Sequence, residues 1–325
     1  MKYINLGRAG VTVSRLGLGT MNFGPLSPEP EAHQIMSRAL DAGINLFDTA
    51  DIYGWKTGEG ITEQIIGRWL DQDASRREQI VLATKVYGPM GRKPNTSRLS
   101  ALHIRQAVED SLRRLRTDRL DLLQLHHVDR TTPWEEIWQA LDLLVAQGKV
   151  LYVGTSNHAA WHITRAQEHA RRRDIMGLVS EQSVYNLLER TVELEVLPAC
   201  QEYGIGFLPY SPLQGGLLSG VLRREGEQTG RGKEPKTRKL LERHRERIAG
   251  YEKWCADLGE EPARVALAWL LHQAAVTSVI VGPRTPEHLE EALRAPRLKL
   301  DQEQLGALDA LFPGPGGAAP EAYAW

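Results

Sequence analysis

A repeat of two alternating periodicities limits this chain's fold more than any other feature. Eight short apolar runs recur, at 14–19, 44–48, 80–85, 121–126, 150–156, 178–182, 205–210 and 278–282. They are apolar at nearly every position, as strands covered on both faces are. Between them lie patterned helical stretches at 31–41, 62–70, 102–115, 133–146, 161–172, 192–203 and 262–272. Pro133 and Pro262 stand near helix starts, and Gly43, Gly148 and Gly204 follow helix ends, where a fixed φ and a left-handed backbone are respectively favoured. Eight such units predict an α/β fold, a single-domain (β/α)8 TIM barrel over residues 1–312. The competitor is a doubly wound dinucleotide domain with a second domain attached. Its glycine fingerprint fails here: Gly17-Leu18-Gly19-Thr20-Met21-Asn22 puts Asn22 at the third glycine position. A loop with Pro25, Pro28 and Pro30 follows, where that fingerprint requires a helix.

Composition narrows the class. Forty Lys+Arg oppose 41 Asp+Glu, a formal net charge of −1, which removes the basic bias of a nucleic-acid binder. No apolar run approaches the ~20 residues of a membrane span, and residues 1–10 hold no apolar signal core. Cys200 and Cys255 are the two cysteines, too few for a disulfide framework or a four-cysteine metal site. These features predict a cytoplasmic, enzyme-sized protein, with neither nucleic acid nor membrane as partner; a homo-oligomer is compatible with them.

One interval breaks the rhythm. Between 223 and 247 the chain holds ten Lys/Arg and five Asp/Glu, interspersed with Gly226, Gly230, Gly232 and Pro235. A charge run of this kind is a solvated loop with an extra helix, or a mobile basic lid, spanning about 217–247, over a phosphate-bearing ligand. The tail, 313–325, is rich in Gly, Pro and Ala yet ends in Tyr323 and Trp325. It is either frayed or a strap whose aromatics dock near the barrel mouth.

Barrel chemistry sits where strands end at their C-terminal side. The polar residues there are Asp48, Lys85, His126, Ser156, Asn157, Gln182, Tyr210 and Arg284, with Tyr53 in the loop after Asp48. A phenol has an unperturbed pKa of about 10, and a neighbouring ammonium lowers it. Lys85 beside Tyr53, with Asp48 holding Lys85 and His126 orienting a carbonyl, makes a general acid that needs no metal.

At these residues the chain resembles the aldo-keto reductase superfamily. The resemblance runs nearly end to end, through Leu16-Gly17-Leu18-Gly19-Thr20-Met21, the segment from Asn45 to Gly54, Leu82-Ala83-Thr84-Lys85, and Asp118 to His126. It continues through Gly148-Lys149, Gly154-Thr155-Ser156-Asn157 and the segment from Tyr210 to Leu218. It implies a tetrad of Asp48, Tyr53, Lys85 and His126, with Tyr53 giving a proton as hydride passes from NADPH to a carbonyl. It also implies cofactor contacts at Gly19, Thr20, Met21 and Asp48, a carboxamide site at Ser156, Asn157 and Gln182, and ring stacking on Tyr210. Ser211, Leu213, Gly215 and Gly216 fall on the pyrophosphate region. Gly282, Arg284, His288 and Glu291 fall on the adenosine 2′-phosphate segment, where this chain departs from the pattern. Val281 replaces a proline, His288 a glutamine, and Ala292 an asparagine. Substrate contacts are expected from Tyr53, Trp55 and His126.

Two further readings accompany this one. The segments 52–55 and 126–130 and the chain ending look similar to reductases of actinobacterial deoxysugar pathways, some of which reduce keto or enoyl nucleotide sugars. Within the same superfamily, potassium-channel β-subunits bind cofactor in a regulatory role. His127 follows His126, and strand alternation predicts that only one of them enters the mouth. His158 and His162, four apart, suit one helix face, but no Glu or Cys completes a metal site there. The Arg171-Arg172-Arg173 run ends a helix, where cations suit the dipole.

Overall fold

The computed structural model describes residues 1–54, 59–223 and 234–324. Eight parallel strands form the barrel: β3 (Leu16–Gly19), β4 (Leu46–Asp48), β5 (Val81–Val86), β6 (Leu120–Leu125), β7 (Val150–Ser156), β8 (Leu178–Val184), β9 (Gly206–Tyr210) and β10 (Val279–Val281). Each pairs with its successor from β3 to β9, and β10 pairs with β3. The remaining seam carries one parallel bridge, Phe207 to Val276. The fold is the predicted (β/α)8 barrel.

Helices alternate with these strands: α1 (Glu29–Asp41), α2 (Ile61–Asp71), α3 (Ser75–Gln79), α4 (Ala101–Leu115), α5 (Trp134–Ala146), α6 (Ala160–Arg171) and α7 (Val196–Tyr203). Then come α8 (Pro235–Leu258), α9 (Pro262–His272), α10 (Pro286–Arg294), α11 (Gln302–Leu311) and α12 (Glu321–Ala324). Helix α4 shows how the pattern is written. Ser100 caps it by accepting from the His103 amide at 3.3 Å, and Ile104, Ala107, Val108, Ser111, Leu112 and Leu115 bury one face, the spacing of an amphipathic helix. This layer and the strands' outer faces make the larger core, with Trp69 stacked on Phe47 at 5.5 Å.

The predicted first run, 14–19, proves to be two elements. Ser14 ends an antiparallel hairpin of β1 (Tyr3–Asn5) and β2 (Thr12–Ser14), and the barrel strand begins at Leu16. The hairpin's Leu6, Ala9 and Val13 are fully buried under the barrel, in one cluster with Leu46, Val81, Leu122, Val179, Leu208 and Ile280. Gly7 lets the chain pass that close: its φ is +57°, and a Cβ there would lie 2.5 Å from the Gly204 carbonyl oxygen. At the other end of the barrel, small residues leave room. A Cβ on Gly154 would lie 2.2 Å from the Ser180 hydroxyl, and one on Gly19 would lie 2.8 Å from Ile280.

The tail is tied down as far as Ala319. Phe312 packs edge-on against Tyr251 at 5.5 Å, and the Ala319 amide donates to the Leu194 carbonyl at 2.8 Å. Tyr323, however, is exposed, and Trp325 lies outside the described residues. Among the described residues no helix is long and apolar enough to cross a membrane.

Candidate active site

Four inward positions of the strands, Asp48, Lys85, Gln124 and Gln182, meet at the C-terminal mouth, and their geometry is close. The Lys85 ammonium donates to Asp48 Oδ2 at 2.6 Å, to the Thr49 carbonyl at 2.9 Å and to the Tyr53 hydroxyl at 3.3 Å. Asp48 Oδ1 accepts from the amides of Gln124 at 2.9 Å and Gln182 at 2.8 Å. A buried ion pair survives desolvation only when its remaining lone pairs are met in this way. Burial pulls the Lys85 pKa down, but Asp48 and Tyr53 outweigh it and leave it raised. Lys85 is therefore a permanent ammonium under a phenol.

His126 follows β6, with its ring 5.9 Å from that of Tyr53, edge to face. Burial first, and then the Lys85 charge and His127, hold its pKa well below the ordinary histidine value. It is neutral at pH 7, so it can orient an oxygen but is not an imidazolium acid. His127 corrects the one-in, one-out expectation. Both rings border the cleft and stack at 5.0 Å, and His127 also meets Tyr87 edge-on. Strand β6 ends at Leu125, so alternation no longer governs the two histidines.

A single cleft of about 700 Å³ runs from Tyr53 to α10. Gly19, Thr20, Met21, Asp48, Ser156, Asn157, Gln182, Tyr210, Ser211, Leu213, Gly215, Gly216, Gly282, Arg284, His288 and Glu291 all border it. Lys85 sits behind the wall, 1% exposed. Trp55 lies outside the described residues. Several of these side chains are already tied to one another. Asn157 accepts from the Tyr210 hydroxyl at 2.9 Å and donates to the His126 carbonyl at 3.2 Å and the Ser156 hydroxyl at 3.0 Å. Gln182 gives its amide nitrogen to Asp48, and Glu291 pairs with Arg264 at 2.9 Å. At the far end, Ser27 donates to the Arg284 carbonyl at 2.7 Å, and Thr285 caps α10.

Sequence reasoning passed over several residues here. Gln124 shares inward parity with His126, and an amide inside an otherwise apolar strand was its signal. Asn22 donates to the Gly282 carbonyl at 2.9 Å, and its Oδ1, buried at the cleft wall, has no partner. Thr237, Arg238 and Leu241 of α8 also form cleft wall; they were foreshadowed only as part of the basic insertion. Of that insertion, residues 224–233 lie outside the described residues. Helix α8 is held by Leu241 and Ile248 packing on Leu217. The His158–His162 face also needs correcting: α6 begins at Ala160, so His158 precedes the helix, and it rests on the Ser156 carbonyl at 2.9 Å.

A tyrosine thus stands beside a buried lysine–aspartate pair in a (β/α)8 barrel, at a long cleft bordered by polar residues. The chain belongs to the aldo/keto reductase family, whose model matches residues 15–312. It is 50% identical over 329 residues, 100% of each chain, to an uncharacterized oxidoreductase, YrpG, of Bacillus subtilis. It is 34% identical over 303 residues, 91% of each chain, to a probable voltage-gated potassium channel subunit beta of Oryza sativa. Protein tas of Escherichia coli is 32% identical over 339 residues, covering 96% of this chain and 97% of that one. The chain is an oxidoreductase of the carbonyl-reducing family, which uses a nicotinamide cofactor.

Proposed function

We propose that this enzyme reduces aldehyde or ketone carbonyls to alcohols with NADPH, and that Tyr53 donates the proton. The observation that carries this reading is the Lys85 ammonium, 3.3 Å from the Tyr53 hydroxyl and 2.6 Å from Asp48, at the floor of the cleft. The donor set suits a dinucleotide: an amide–phenol shelf at one end, a left-handed glycine turn at Gly215 and Gly216 midway, and Arg284 beside a helix start at the other. The unpartnered Asn22 oxygen offers one further acceptor inside it. When bound, NADPH supplies the hydride.

The chain's own residues do the rest. Ser156, Asn157 and Gln182 orient the carboxamide and Tyr210 backs the ring, so the reacting carbon is held in one pose. Tyr53 and neutral His126 hold the substrate oxygen. As negative charge develops there, the Tyr53 proton moves to it, and Lys85 steadies the phenolate left behind. Arg284 takes the 2′-phosphate. Thr237, Arg238 and Leu241 of α8 add a further wall to the cleft.

The test is NADPH oxidation across aldehydes, ketones and keto nucleotide sugars. Turnover of simple carbonyls is expected; turnover of nucleotide sugars alone would assign the narrower reductase reading. The likeness to a channel subunit beta favours one other reading, a cofactor-bound regulatory subunit. Tight NADPH binding with no turnover of any carbonyl would replace the enzymatic reading with that one.

A further inference from the structure

We propose that Glu181 is a positioning residue for the nicotinamide shelf, setting Asn157, and through it Tyr210, by holding the turn after β7. This rests on the cofactor reading above. Residue 181 lies beside Gln182 on β8, but it faces the other way. Gln182 reaches into the barrel to Asp48, while Glu181 is paired with Thr155 on the outward side of the strands. Its carboxyl is fully buried. Oε1 accepts from the Ser183 hydroxyl at 2.6 Å and from the His158 amide at 3.2 Å, and Oε2 has no partner.

That is an expensive residue to keep for structure alone, because a buried carboxyl with an unmet oxygen is disfavoured. What it holds is the left-handed turn that carries Asn157. Asn157 has φ +59°, in the left-handed region, and its amide donates to the Gln182 carbonyl at 3.0 Å. From this position its side chain bridges the His126 carbonyl, the Ser156 hydroxyl and the Tyr210 hydroxyl, joining the ends of β6, β7 and β9. A shift in the 157–158 backbone moves all three contacts together.

The link has a charge dependence. Burial pushes the Glu181 pKa up to about 7, against Ser183, Thr155 and the His158 and Asn157 amides, which favour the ionised form. The other titratable groups packed around it are shifted away from neutrality. Burial, and then Glu181 itself, push the Cys200 thiol of α7 well up. Burial lowers the His158 ring to about 4 and also lowers His162 of α6. Glu181 is thus the group there that changes charge near neutrality, and its ionised form grips the turn more firmly.

The full-length wild type and Glu181→Gln are compared for NADPH affinity between pH 6 and 8.5, for adenosine 2′,5′-bisphosphate affinity, and for thermal midpoint. At pH 8 NADPH is expected to bind the Gln variant about three- to tenfold more weakly, the difference between a charged and a neutral acceptor. The two NADPH curves are expected to converge toward pH 6. The bisphosphate, which lacks the nicotinamide, is expected to bind both proteins equally, and the variant's midpoint at pH 8 is expected to be no lower than wild type. Superimposable NADPH curves overturn the inference, as does a parallel loss for both ligands with a falling midpoint. A wild type that binds neither ligand overturns the cofactor reading itself, which separates the two failures.

Discussion

The two ends of one barrel are built from the same strands and differ within two residues. On β4, Leu46 belongs to the apolar plug and Asp48 to the polar mouth; on β5, Ala83 and Lys85 divide likewise, and on β6, Leu122 and Gln124. The plug inside the lower end is built of apolar side chains alone. Leu6, Ala9 and Val13 simply cover it, and removing that area from water stabilises the fold. The upper end keeps an ammonium and a carboxylate out of water, and spends five hydrogen bonds to do so, two of them from glutamine amides. The apolar layer holds the strands in register; the layer above uses that rigidity to place atoms that would otherwise repel burial.

If that division is right, changes at the mouth remove activity and spare the fold. Tyr53→Phe removes one oxygen and is expected to lower turnover by roughly two to four orders of magnitude, with cofactor affinity and thermal midpoint near wild type. Steady-state kinetics with matched binding titrations measure this, and near-normal turnover would end the assignment of Tyr53 as acid. Lys85→Met is expected to act less through proton supply than through its pKa. Without the ammonium the phenol ionises at higher pH, so the alkaline fall in activity moves upward while the rate drops at every working pH. A slow, folded variant with the wild-type pH profile would refute the electrostatic role.

The lower end predicts the opposite signature. Leu122→Ala, fully buried in the plug, is expected to cost about 2–5 kcal/mol of stability. Its kcat at a temperature well below unfolding is expected to stay within a few-fold of wild type. A large loss of kcat in a still-folded Leu122→Ala protein would show that the two layers are coupled rather than separable.

The same contrast explains what the sequence made legible. Asp48, Lys85 and His126 stood out because they are polar residues at the ends of apolar runs, and their companionship with Tyr53 supplied the chemistry. The plug was hidden because Leu6 and Val13 lie in elements of three residues or beside them, too short for any period to register. Arg238 was hidden for a different reason: within ten basic residues, composition does not say which one faces the cleft. Glu181 sat in a strand that read as apolar, and only its neighbours in space show what it holds.

Arg284→Ala is expected to have the smallest effect and tests how far the mouth's polar layer extends. The residue follows β10, above Ile280 of the plug, and borders the cleft at the end opposite Tyr53. Its backbone is fixed by Ser27, and the start of α10, whose dipole favours an anion, lies beside it. In the proposed pose the adenine side is less well furnished. Glu291 is committed to Arg264, and Ala292 offers no hydrogen bond, which leaves the phosphate contact to carry more of the discrimination between cofactors. Losing a charge-assisted contact is expected to weaken NADPH by about 1–3 kcal/mol and to leave NADH almost unchanged, with kcat at saturating cofactor close to wild type. Paired titrations with the two cofactors measure the difference. An equal loss for both, or a wild-type preference for NADH, would remove Arg284 from phosphate recognition and confine the functional layer to the tetrad and its shelf.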